Sequence, residues 1–160
     1  MLAAVFGDTT FDVLKAAHVL AAGLWVGGNF TLNLAVNLAF RSRDPARQAM
    51  TLRLAEVIGQ RVFTALALIV VGVGVWMVLR YDNVYRFEDF WVSYGLAFFI
   101  VTSIVGAGFL GPRAGKISRE IAAGADQDSI QRESRTLRLV AAVDTLLLAS
   151  VVVIMVVKPT

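Results

Sequence analysis

His18 is the single histidine of this 160-residue chain. It stands inside an apolar stretch, Lys15 to Phe40, that is long enough to cross a membrane. An imidazole in that setting can ligate haem iron, carry a proton or hydrogen-bond to a neighbouring helix. On a helix each residue advances about 100°, so His18 and Asn29 project within ~20° of each other and Trp25 falls on the same stripe. Lys15 and Asn33 lie about 60° to one side. A polar seam on a lipid-compatible helix is costly, so it must face protein, a cavity or a ligand.

Three features around His18 favour haem b. Gly23, Gly27 and Gly28 thin one side of the same helix, which admits a close backbone or a flat ligand. Trp76, Trp91 and Tyr94 fall at a matching depth. Met77 and Met155 sit near the same ends of their helices, so a His/Met ligand pair is available, although thioethers also serve as core filler. With one histidine per chain, bis-histidine ligation would require a dimer. The propionates of a macrocycle at this site would lie near Lys15, Arg80 or Arg86.

A second polar group lies toward the other end of the first helix. Asn33 and Asn37, with Asn29 between the two groups, share a depth with Arg61 and with Asp144, the acidic residue inside the last apolar block. An ionisable group in lipid is normally paired. Two readings follow: a proton or cation relay, or a structural tie of Asp144 to Arg61 or to Asn33 and Asn37. Its depth near the membrane boundary favours the tie.

Other chemistries find no residues. There is no cysteine, hence no disulfide, thiolate metal site or thiol redox pair. Copper(I) prefers thiolates and thioethers, and no Met-rich cluster is present. Walker, Rossmann, zincin and triad patterns are missing.

The elements that must position these residues are read from hydropathy. The chain is 58% hydrophobic with a mean hydropathy of +0.70. Its apolar residues fall in four blocks of spanning length, 16–40, 62–79, 90–110 and 139–157. The expected fold is all-α: one integral membrane domain, a four-helix antiparallel bundle with helices at about 11–40, 45–79, 90–111 and 129–157. Asp8 with Thr9 or Thr10 is the expected cap of the first helix, and Asp44-Pro45 starts the second with an N-cap and a proline in the first turn. Gly111-Pro112 should kink or end the third, Asp128 with Gln131 should cap the fourth, and Lys158-Pro159 should stop it.

The formal charge is +3, but its distribution does not point to nucleic acid. Arg41, Arg43, Arg47, Arg53 and Arg61 flank the first connection, and Arg113, Lys116, Arg119, Arg132, Arg135 and Arg138 flank the third. The second has two arginines against Asp82, Glu88 and Asp89. The positive-inside pattern then places both termini outside, as for a multi-pass protein of a bacterial inner membrane. No Lys or Arg precedes the first apolar run while Asp8 and Asp12 do, which argues against a signal peptide there.

The stretch LKAAHVLAAGLWVGGNF resembles the opening helix of a bacterial four-helix membrane family in the wider group of CopD-like copper-resistance proteins and HemJ-type protoporphyrinogen oxidases. The closing VVVIMVVKPT is similar to the valine-rich helix ending in Lys-Pro in those proteins. The shared motifs are His-x6-Trp-x-Gly (His18, Trp25, Gly27) and Lys158-Pro159. For the HemJ-type enzymes the resemblance implies a haem-b bundle with a first-helix histidine, matched by His18, and a porphyrinogen substrate. Those enzymes also carry a lysine early in a later helix, where this chain has Ser93 and Tyr94. For CopD-like proteins the resemblance implies copper uptake.

The sequence thus supports a haem-b-binding or redox-associated membrane bundle first. Two other classes stand beside it: a non-catalytic accessory subunit of a larger membrane complex, and a small transporter using the asparagines and Asp144. Membrane lipid is the expected surroundings, with a homo-oligomer or larger complex as the expected assembly.

Overall fold

A computed structural model describes residues 9–81 and 85–159. Among them, four helices are long and apolar enough to cross a membrane: α1 (Thr9–Arg41), α2 (Pro45–Arg80), α3 (Phe90–Ala122) and α4 (Gln127–Val157). They run alternately up and down as an antiparallel bundle. α1 packs along α2 and α4, and α3 packs along α4. α2 and α3 touch sparingly over their apolar halves and closely where they extend past the bilayer length.

Local signals fix most boundaries. Asp44 caps α2 by accepting from the backbone N–H groups of Ala46 and Arg47, with Pro45 in the first turn. At the far end of α4, Lys158 adopts a left-handed conformation (φ 48°) and closes the helix onto the Ile154 carbonyl. Asp8, the expected cap of α1, lies outside the described residues.

Two expectations are corrected. α3 does not end at Gly111-Pro112 but continues to Ala122. The five residues before it, Gly106–Leu110, form a π turn, and the Gly111 N–H bonds the Gly106 carbonyl five residues back. The widened turn makes room for a ring that would clash in a regular α-helix and absorbs its missing N–H. α4 is capped by Asp126 rather than Asp128: its carboxylate accepts from the Ser129 N–H at 3.0 Å. Asp128 instead falls in the first turn, where an acidic side chain faces the positive end of the helix dipole.

The two ends of the bundle are built differently. At the arginine-rich end, α2 and α3 extend beyond the apolar blocks and close over α1 and α4. Leu52, Ile117 and Ile130 are fully buried there with Val36, Phe40 and Leu137 around them. Gly115 lets the Glu56 side chain lie on the α3 backbone, and Glu56 pairs with Arg53 and Arg119. At the aromatic end, Phe11 packs on Tyr81 and Tyr85, and Tyr85 meets Trp91 edge-on with centroids 5.3 Å apart. Between the ends the outer surface is apolar: Leu24 is 64% and Leu146 70% exposed. Such a surface is stable only against lipid or other protein.

Candidate functional site

Among the described residues the bundle forms a partly open cavity at each depth of the α1 seam. The first, of about 360 Å³, lies toward the aromatic end and draws on all four helices. His18 lines it, and its imidazole is held by the backbone of α2: Nδ1 lies 2.9 Å from the Val70 carbonyl oxygen. A carbonyl only accepts, so Nδ1 carries the proton and donates it. In the neutral imidazole this selects the Nδ1–H tautomer, which leaves a free lone pair on Nε2. The geometry is available because of Gly74, which follows Val70 by one helical turn. A Cβ there would stand 3.0 Å from His18 Cε1 and 3.4 Å from Nδ1. A side chain at this position would crowd the ring away from the carbonyl.

Trp25, Gly23, Met77 and Met155 line the same cavity. Met155 rests its methyl group on Gly95, where any Cβ would collide with it. Met77 is buried beside Phe11, Tyr81 and Tyr85. The other two glycines of the expected flat face go elsewhere. Gly28 receives the Phe63 ring of α2, and Gly27 is exposed with open space over it. Of the expected aromatics only Trp91 lines the cavity: Trp76 is 61% exposed, and Tyr94 shares a 2.9 Å hydrogen bond with Ser150.

The basic rim also differs from expectation. Lys15 lines the cavity, but Arg80 lies over the Tyr81 ring and Arg86 pairs with Glu88. The second cation is Lys158, whose Nζ stands 5.0 Å from the Tyr85 and Trp91 centroids. Burial, and then the neighbouring charge of Lys15, hold its ammonium below the ordinary lysine range. Its place beside Pro159 marks it in the sequence only as a helix stop.

The second cavity, of about 380 Å³, lies toward the arginine-rich end. Asn29, Asn33 and Asp144 line it, together with Thr102, Ser103 and Arg138, none of which the α1 seam indicates. Asn33 donates to the Thr145 hydroxyl at 3.4 Å and accepts from Asn37 at 3.0 Å. Asn37 in turn accepts from Arg138 at 3.4 Å. So the asparagine ladder ties α1 to α4, but the tie leaves out both ionisable residues expected in it. Arg61 is exposed, and no ion pair joins it to Asp144 among the described residues. Asp144 is 3% exposed, and its Oδ1 finds no hydrogen-bond partner.

Both cavities share a partition. Trp25 and Phe99 line each of them and meet at 6.1 Å in an edge-to-face pair. Both π turns, Ile58–Phe63 in α2 and Gly106–Leu110 in α3, open on the Asp144 cavity through Gly59, Phe63, Gly106 and Leu110. Among the described residues no three His, Cys, Asp or Glu side chains gather to hold a bare metal ion. Haem iron needs a single protein nitrogen on one face, because the macrocycle supplies the other four.

A family described as predicted integral membrane protein (DUF2269) matches residues 12–159, and the chain belongs to it. With its four candidate spans it is a multi-pass integral membrane protein. No curated protein and no solved structure matches the chain.

Proposed function

We propose that this member of the DUF2269 family is a haem-b-binding, redox-associated membrane bundle with His18 as the axial ligand in the cavity at the aromatic end. The observation that carries the reading is the 2.9 Å bond from His18 Nδ1–H to the Val70 carbonyl. A ligating histidine characteristically donates its other ring N–H to a carbonyl or carboxylate, which orients the ring and raises the basicity of the ligating nitrogen. A histidine placed only to tie two helices would need Gly74 for the same bond, but it would need no cavity beside it.

The surrounding residues fit the same group. Apolar walls from four helices accept a flat hydrophobic body, Lys15 and Lys158 offer two cations to its carboxylates, and Met155 brings a thioether to the same cavity. Haem b so bound would supply one-electron redox chemistry, and the likeness to HemJ-type oxidases extends the proposal to a porphyrinogen substrate. The residues of this chain would do the rest. His18 presents Nε2, Val70 holds the ring in register, and the Trp25–Phe99 partition separates the site from the Asp144 cavity. The charge pattern of the connections would put the arginine-rich end in the cytoplasm of a bacterial inner membrane.

Protein purified from haem-replete cells should carry a Soret band that His18→Ala abolishes. A colourless wild-type preparation would overturn the reading.

A further inference from the structure

The Asp144 cavity has a hydrogen-bond inventory that does not close. Asp144 is buried, and no described residue hydrogen-bonds to its Oδ1. The Ser103 hydroxyl in the same cavity is likewise without a partner. Leaving a buried acceptor empty forfeits its hydration without return, and for a charged group the loss is largest. The cation lining the same cavity does not make up the difference. Arg138 donates Nε–H to the Ser134 carbonyl and Nη1–H to Asn37 Oδ1, and its guanidinium lies 5.1 Å from the Phe40 centroid. It is engaged at the cavity's arginine-rich side and forms no ion pair with Asp144.

Asn29, Asn33, Thr64, Thr102 and Ser103 add neutral amides and hydroxyls to the wall, and the remainder is apolar, with Leu32, Val36, Phe63, Leu68 and Phe99 among others. A bare cation would find one carboxylate among neutral oxygens, in a cavity that already contains a guanidinium. A neutral donor meets neither objection. The π turns of α2 and α3 both face this space; the one in α3 accommodates Pro112, while the one in α2 contains no proline, and such turns are frequent at functional sites.

We propose that this cavity binds a lipid-soluble molecule with a neutral hydroxyl head, of the phenol or quinol class, whose O–H donates to Asp144 Oδ1 while its apolar body lies against Phe63, Leu68 and Phe99. A hydroxyl can answer the empty oxygen and an ether cannot, which sets the selectivity. The inference does not rest on haem at His18: the two cavities share the Trp25–Phe99 wall but no ionisable group.

The test uses the full-length protein in nanodiscs with three photoreactive probes of one alkyl chain: the phenol, its O-methyl ether and the primary amine. Labelling of the α3 segment around Thr102 and the α4 segment around Asp144 is read by mass spectrometry and normalised to labelling of the lipid-facing surface. The phenol should exceed the ether at least tenfold on wild-type protein, a comparison that needs no variant. Asp144→Asn should bring the phenol at least fivefold nearer the ether, and His18→Ala should leave it unchanged. Equal labelling by phenol and ether, an amine that outdoes the phenol, indifference to Asp144→Asn, or loss on His18→Ala would each overturn the proposal.

Discussion

The two cavities face opposite ends of one helix, are of similar size and are walled by the same four helices, yet they treat their key polar side chain in opposite ways. His18 is anchored on one nitrogen by a backbone carbonyl, and a glycine clears the room for it. Asp144 is buried with Oδ1 unanswered, while the asparagines beside it satisfy each other. An anchored imidazole with one free lone pair is preorganised for a ligand of fixed geometry. A free carboxylate oxygen in an apolar room stores unfavourable energy that a small donor would relieve. The contrast separates a cofactor position from a position for something that comes and goes.

The comparison can be broken most sharply at Gly74. A valine there would force the His18 ring off the Val70 carbonyl. Retention of haem should fall about a hundredfold, or about 2.8 kcal/mol at 1.4 kcal/mol per decade, as measured by haem transfer to an apo-acceptor protein. Gly72→Ala, at a position with open space around it, should leave retention unchanged. Equal behaviour of the two variants would remove the Val70 anchor from the account.

Asp144→Leu tests the other side of the contrast. If Asp144 were a structural tie, leucine would destabilise the bundle. Because its Oδ1 is unpaired, replacement by an apolar group should raise stability by about 1–2 kcal/mol, read as a higher unfolding midpoint in detergent. A fall of similar size would restore the tie. Gly115→Ala, at the opposite end of the bundle from the His18 cavity, should have the smallest effect. The methyl displaces only the flexible end of Glu56 and its pairs with the exposed Arg53 and Arg119, so a loss of under about 1 kcal/mol is expected, with no change at the His18 cavity. A change in haem retention there would show that the extension is coupled to the site.

Hydropathy blocks and the Asp44-Pro45 cap made the four helices legible, because span length and helix-start chemistry are local. The continuation of α3 through Pro112 was not legible, since a π turn has no sequence mark beyond permissive glycines. In the site, the stripe of His18, Trp25 and Asn29 followed from helical geometry alone. What lies across from that stripe did not. Gly28 and Gly23 are alike in sequence, but only α2's Phe63 reveals that the first is already filled. Arg138 lies on α4 and Lys158 caps it, so where each side chain faces depends on how that helix is rotated. The pairing of Asp144 with Arg61 failed for the same reason: equal depth does not give equal facing.

The central claim is that His18 alone of the two polar centres holds the cofactor. Its most direct test is the absorption spectrum of three proteins purified from haem-replete cells and titrated to saturation with haemin: wild type, Asp144→Asn and His18→Ala. The account predicts the same Soret band for the first two and none for the third. A band in His18→Ala equal to that of the wild type, or no band in the wild type, would contradict it.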